Sequence, residues 1–135
     1  IKKECIQPKD PLCAADHGCG IILFAELSSG SIMGNDSLGE IGKPAENVGY
    51  EAAMGLCKQL RTCSPIDKHL GDQLAIWMGL AKGTSKIRVS ELTLHMLTCI
   101  EVIQNIVGAR FTLEGDKGRP ATITCQGIGL QRRTS

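Results

Sequence analysis

Hydrophobic and polar positions fall into a clear order along the chain. Gly20-Ile21-Ile22-Leu23-Phe24-Ala25-Glu26 is a short apolar run ending in Ser28-Ser29-Gly30, the pattern of a buried strand and a turn. Ser31-Ile32-Met33 reads as its hairpin partner, and the glycine-rich stretch from Gly34 to Gly42, with its Asn35-Asp36 pair, reads as loop. Pro44 suits the first turn of a helix whose apolar stripe is Ala45, Val48, Ala52, Leu56 and Leu60, with Lys58 and Arg61 suiting its carboxyl end.

Ser64-Pro65-Ile66-Asp67 predicts a second helix start, with Ser64 as cap, Pro65 at the first helical position and Asp67 completing a capping box. That helix is expected to run to about Ala81, with Ile66, Leu70, Leu74, Trp77, Met78 and Ala81 in the core. On another face, His69, Asp72 and Gln73 stand at i, i+3 and i+4, so three polar, ligand-capable side chains share one direction. Gly83-Thr84 ends that helix, and Lys86 to Val89 alternates as a strand. Leu97, Ile100, Ile103 and Val107 mark a third helix, starting near Leu97 and closed by Gly108.

The tail alternates: Phe111 and Leu113, a turn at Gly115-Asp116-Lys117-Gly118, then Ala121, Ile123 and Cys125, which is a β-hairpin. The fold class is therefore α+β, with two helices against one sheet. One strand is missing from a tidy unit, and its place is expected to be taken by the first segment or by further chain.

Composition narrows the picture. At 135 residues, with 42% hydrophobic and 21% charged content, the chain can bury a core, and no apolar run is long enough to span a bilayer, so no membrane role is indicated. The first residues carry neither an initiator Met nor a signal-peptide run. Seven cysteines, an odd number without a C-x-x-C pair, suggest neither a disulfide framework nor a zinc ribbon. Most of them sit among apolar neighbours and are expected to pack as small hydrophobes, while Asp16-His17-Gly18-Cys19 offers a metal-ligand pair without a second pair to match. A reducing cytoplasm fits, and a nucleus as well if the source is eukaryotic. A formal net charge of +1 and four aromatics do not by themselves mark a nucleic-acid binder, although Lys82, Lys86 and Arg88, and again Arg132 and Arg133, form local basic groups.

Several segments, in order, resemble the RNA 3'-terminal phosphate cyclases: Gly20-Ile-Ile-Leu-Phe-Ala-Glu26, Gly34-x-Asp36-Ser-Leu-Gly39, His69-Leu-Gly-Asp-Gln-Leu74 and Thr93-Leu-His-Met-Leu-Thr98. Ala45-Glu46-x-Val48-Gly49 and Cys125-Gln-Gly-Ile-Gly129 agree as well. No single motif is distinctive; the order over nearly the whole chain is.

The resemblance implies repeated βαβαββ units, each with two helices packed on a four-stranded sheet, and a smaller inserted α/β domain. Residues 1–64 would be the second half of the inserted domain and the return to the catalytic domain, and residues 65–135 the last repeat. Only the carboxy-terminal part of the enzyme would be present, and without the missing amino-terminal part this segment alone should be inactive.

It further implies ATP-dependent conversion of an RNA 3'-phosphate to a 2',3'-cyclic phosphodiester through enzyme-histidine-AMP and RNA-adenylate intermediates, with ATP and Mg²⁺ or Mn²⁺. The family's nucleophile corresponds to His95, and its nucleotide-pocket helix to His69, Asp72 and Gln73. Many relatives have tyrosine where His69 stands, which puts adenine stacking in doubt. His95 is expected just ahead of its helix, at the positive end of the helix dipole, where a neutral imidazole and a phosphate are both favoured. Two other readings compete: a cyclase-like ribosome-assembly factor, a branch that lacks the histidine, and a stand-alone α+β binding module.

Overall fold

The computed structural model describes residues 18–131 together with 6, 9–11 and 13. The element order is β1 (Gly20–Glu26), β2 (Ile32–Leu38), α1 (Ala45–Leu60), α2 (Lys68–Leu80), β3 (Lys82–Val89), α3 (Leu94–Val107), β4 (Arg110–Glu114) and β5 (Ala121–Ile128). The chain is α+β as expected. Strands β1 and β2 pair with each other, while β3, β5 and β4 form a second antiparallel sheet in that order.

Of the stretch expected as loop, Gly34 to Leu38 continues the strand begun at Ile32, and only Gly39 to Gly42 is loop. All seven residues of β2 pair with β1, from Glu26 against Ile32 to Gly20 against Leu38. Its polar residues are satisfied on the inner face. The Asn35 amide donates to the Ala52 carbonyl (3.3 Å) and the Ser37 hydroxyl to the Glu51 carboxylate (2.8 Å), both on α1. Beside them Met33, Val48, Ala52 and Leu56 are buried. Burying hydrogen-bonded amides and hydroxyls costs little, so a polar sequence can still be the inner face of a strand.

Gln59 ties this hairpin and helix to the rest. It is 5% exposed, its amide donates to the Gly34 carbonyl (3.1 Å), and its Oε1 accepts from the Lys68 amide (3.2 Å) and the Ser90 hydroxyl (3.0 Å).

The second helix begins later than the capping-box pattern suggests. Asp67 is the cap, accepting from the amides of His69 and Leu70 at 2.9 and 2.7 Å. Ser64 is buried ahead of it. Ile66 cannot be helical because its backbone is committed elsewhere: it bridges Val89 in parallel, and its carbonyl accepts from the Ser90 amide at 2.8 Å. This bridge occupies the place of the fourth strand. Among the described residues the sheet is thus three strands with this bridge at its edge, and β1 and β2 do not join it.

The buried stripe of α2 is also rotated from the expected one. Gly71, Ala75, Met78 and Gly79 are buried, whereas Trp77 is 67% exposed and Leu70 lies at the surface. The reason is close packing against α3 and the sheet. A Cβ on Gly71 would stand 2.7 Å from a methyl of Val89, and one on Gly79 2.9 Å from a methyl of Ile103. Small residues let the helix approach, and Val89, Leu92, Met96, Ile100, Ile103, Ile123 and Cys125 complete the core.

The expected break at Gly83-Thr84 is absent, because β3 starts directly at Lys82. Helix α2 is closed instead from β5: the amides of Gly129 and Leu130 donate to the carbonyls of Ala81 and Leu80, both at 2.9 Å. Helix α3 closes at Gly108, whose φ of 80° is the left-handed cap.

Of the described cysteines only Cys125 is buried; Cys13, Cys19, Cys57 and Cys63 are exposed and Cys99 is intermediate, so packing as small hydrophobes holds for one. Cys19, Cys57, Cys63, Cys99 and Cys125 are free thiols. Asp16, His17, Arg132 and Arg133 lie outside the described residues.

Candidate active site

The motif Thr93-Leu-His-Met-Leu-Thr98 has a local structural meaning. Thr93 is the cap of α3, and its hydroxyl accepts from the Met96 amide at 3.0 Å. The helix therefore starts at Leu94, not near Leu97, and His95 lies inside the first turn. Met96 is fully buried and anchors that turn, while His95 stays exposed. Thr98 bonds back to the Leu94 carbonyl at 3.1 Å.

The segment leading to His95 is held from both sides. Ser90 is fastened to Ile66, and Leu92, 2% exposed, exchanges backbone bonds with Arg119 (2.8 Å) and Gly118 (2.9 Å). A side chain exposed on so fixed a backbone is held in place without being covered.

Helix α2 supplies the facing groups. Asp72 Oδ2 is 3.5 Å from His95 Nδ1, with the carboxylate side chain 16% and the imidazole 64% exposed. Cys99, one turn along α3, brings its sulfur to 3.8 Å from both ring nitrogens. A groove of about 560 Å³ is lined by Lys68, His69, Asp72, Gln73, Glu91, Thr93 and His95. All four residues singled out from the sequence thus meet in one groove. His69 and Gln73 also line an adjoining hollow of about 410 Å³ with Asn35, Asp36 and Asp67.

Lys68 and Glu91 are additions that the sequence did not flag. Lys68 directly precedes the His69 motif, which was the available signal. Glu91 had none, because its place follows from the bridge that brings β3 beside Ile66. Glu91 is partnered by Lys58 at 3.3 Å. Among the described residues, no group of three or more His, Cys, Asp or Glu side chains gathers around a common point that could hold a metal ion.

Fold and groove together define a class: an α+β chain that presents an imidazole, backed by a carboxylate, in the first turn of a helix. Comparison with known proteins gives this class its family. The family model for RNA 3'-terminal phosphate cyclase matches residues 2–113. Proteins named RNA 3'-terminal phosphate cyclase are similar throughout: 49% identical over 115 residues in Desulfurococcus amylolyticus, covering 84% of this chain and 32% of the relative. The one from Pyrobaculum aerophilum is 40% identical over 115 residues (85% and 33%), and that from Methanothermobacter thermautotrophicus 43% over 118 (87% and 34%). The chain belongs to the RNA 3'-terminal phosphate cyclase family, and it spans about a third of the length of these relatives.

Proposed function

We propose that this chain carries the nucleophile and one nucleotide-binding helix of an ATP-dependent enzyme that converts an RNA 3'-phosphate to a 2',3'-cyclic phosphodiester. The observation that carries the reading is the meeting of His95 with Asp72 across α2 and α3, beside His69 and Gln73 in one groove.

The geometry supports the following chemistry. A neutral imidazole that donates its Nδ1 proton toward Asp72 keeps its lone pair on Nε2, the atom left to attack. In the first step Nε2 bonds to the α-phosphorus of ATP and the bond to pyrophosphate breaks. An oxygen of the RNA 3'-phosphate then takes the AMP group from His95. Finally the neighbouring 2'-hydroxyl attacks that 3'-phosphorus, losing its proton as AMP departs and the cyclic end closes.

Asp72 holds the ring tautomer and orientation, Gln73 offers an amide to the nucleotide, and the exposed His69 replaces an aromatic platform with an imidazole. The free amides at the start of α3 favour a phosphate beside His95. Mg²⁺ or Mn²⁺ suits phosphate chemistry; among the described residues no three His, Cys, Asp or Glu side chains gather around a common point to hold one, and the steps above rest on this chain's own residues.

We assign residues 65–135 to the last repeat of the catalytic domain and residues 1–64 to the second half of the inserted domain and the return to the catalytic domain. With about a third of the relatives' length in the chain, activity is assigned to the enzyme containing it rather than to this segment alone. Transfer of label from ATP labelled at the α-phosphate tests the proposal: acid-labile, alkali-stable label should appear on the full-length protein and not on its His95→Ala variant.

A further inference from the structure

Helices α2 and α3 cover one face of the β3-β5-β4 sheet, through Ile87, Val89, Phe111, Leu113, Ile123 and Cys125. Among the described residues nothing covers the opposite face. Strand alternation places Lys82, Thr84, Lys86 and Arg88 of β3 there, with Arg110, Thr112 and Glu114 of β4. Strand β5 between them contributes Thr122, Thr124 and Gln126. In register, the rows read Thr84-Gln126-Arg110, Lys86-Thr124-Thr112 and Arg88-Thr122-Glu114, with Lys82 beyond the first of them.

This face is far more basic than the chain as a whole. It gathers four cations and one carboxylate in a protein whose formal net charge is +1. None of the four cations is in an ion pair of the described residues, where the carboxylates lie against Lys43, Lys58 and the His95 ring. Thr84 and Gln126 bond each other at 2.7 Å, and further hydroxyls lie between the cations. No aromatic ring stands on the face, since Phe111 points into the core, so there is nothing for bases to stack on. Free cations interleaved with hydroxyls and without stacking platforms suit the sugar-phosphate backbone of a nucleic acid, read without regard to sequence.

The face also leads toward the groove. Strand β3 ends at Val89, and the clamped residues from Ser90 to Thr93 connect it to the turn that carries His95. Arg88 is therefore the cation nearest that end, Lys86 follows about 7 Å away, and Lys82 lies farther back along the same strand. Glu114 stands two strands away from Arg88, about 10 Å, which keeps the cationic line on β3.

We infer that the open face of this sheet, along Arg88, Lys86 and Lys82, binds the backbone of the RNA whose 3' end occupies the His95 groove. The inference rests on the cyclase reading for the identity of its polyanion, and its site is separate from the reacting groups.

The test uses the full-length protein and fluorescent RNAs ending in a 3'-phosphate, one of about twenty nucleotides and one of three, against the Lys82→Ala/Lys86→Ala/Arg88→Ala variant. The long RNA should bind about tenfold more weakly to the variant at low salt. The slope of log Kd against log salt should be shallower by about 2, near 0.7 for each phosphate that the variant no longer neutralises. Affinity for the three-nucleotide RNA and labelling of the protein by ATP should not change. Equal affinity of both proteins for the long RNA, or the same loss for both RNAs, would overturn the inference. Because binding requires no turnover, the two readings separate: weaker binding by the variant with no label on the wild type removes the catalytic reading alone, and label with unchanged binding removes the RNA surface alone.

Discussion

The carboxylate of Asp72 on α2 lies 3.5 Å from the Nδ1 of His95 on α3, so each of two neighbouring helices contributes one member of the pair. What holds the pair is the closeness of those helices. It depends on Gly71, immediately before Asp72, packing against Val89 and Met96.

Removing the carboxylate should therefore slow chemistry without unfolding the protein. Asp72→Asn is expected to reduce the rate of label transfer from ATP to His95 by roughly tenfold to a hundredfold, because the ring loses the partner that fixes its tautomer. A thermal midpoint within a few degrees of the wild type, measured alongside, separates this effect from structural damage.

Adding a methyl to Gly71 tests the helix approach. Gly71→Ala improves intrinsic helix propensity by about 1 kcal/mol, yet the new Cβ meets Val89 at 2.7 Å. Overpacking of this kind costs about 1–3 kcal/mol, so the net change in urea denaturation should be destabilising. A stabilised variant would show that α2 does not approach Val89 and Met96 this closely.

Gln59 is the buried polar connection between α1 and the sheet segment, beside the more exposed Lys58–Glu91 pair. Gln59→Leu leaves the Ser90 hydroxyl and the Lys68 amide without their acceptor, a loss of about 3 kcal/mol by the cost of orphaned buried groups. Chemical denaturation of the full-length protein should show a lower midpoint.

Much of this architecture was readable from the chain, and the parts that were not share a cause. The hairpins, the three helices, the Gly108 cap and the common direction of His69, Asp72 and Gln73 follow from periodicity. The extension of β2 beyond Met33 was missed because its inner face is polar there, with Asn35 and Ser37 answered by partners on α1 that no local pattern announces. The α2 stripe was misassigned because Trp77 and Leu70 look like core residues, whereas Gly71 and Gly79 are buried for the sake of their small size. The start of α2 moved for a long-range reason too, the bridge between Ile66 and Val89. His95 was legible only through the resemblance. Its place inside the turn comes from the Thr93 cap, and its carboxylate partner from the packing of α2 on α3.

Acid should loosen the contact between the first hairpin and α1. The Glu51 carboxyl is held below its ordinary value of 4.5, first by the hydrogen bond from Lys43 and then by that from Ser37. A carboxyl lowered by folding contributes stability above its unfolded value, and that contribution is lost as pH falls through the lower folded value. Glu51→Gln should thus be less stable than the wild type at neutral pH, and the gap between their urea midpoints should close as the pH is brought below 4.5. A gap that persists unchanged in acid would contradict the assignment.

The central claim is that His95 supplies the atom that bonds covalently to the nucleotide. The most direct measurement is to incubate the full-length protein with ATP labelled at the α-phosphate and Mg²⁺ or Mn²⁺, then locate the label by peptide mapping. The account predicts a single acid-labile, alkali-stable adduct on the peptide containing His95, absent from His95→Ala. A folded wild-type protein that takes no label, or carries it on another residue, would contradict it.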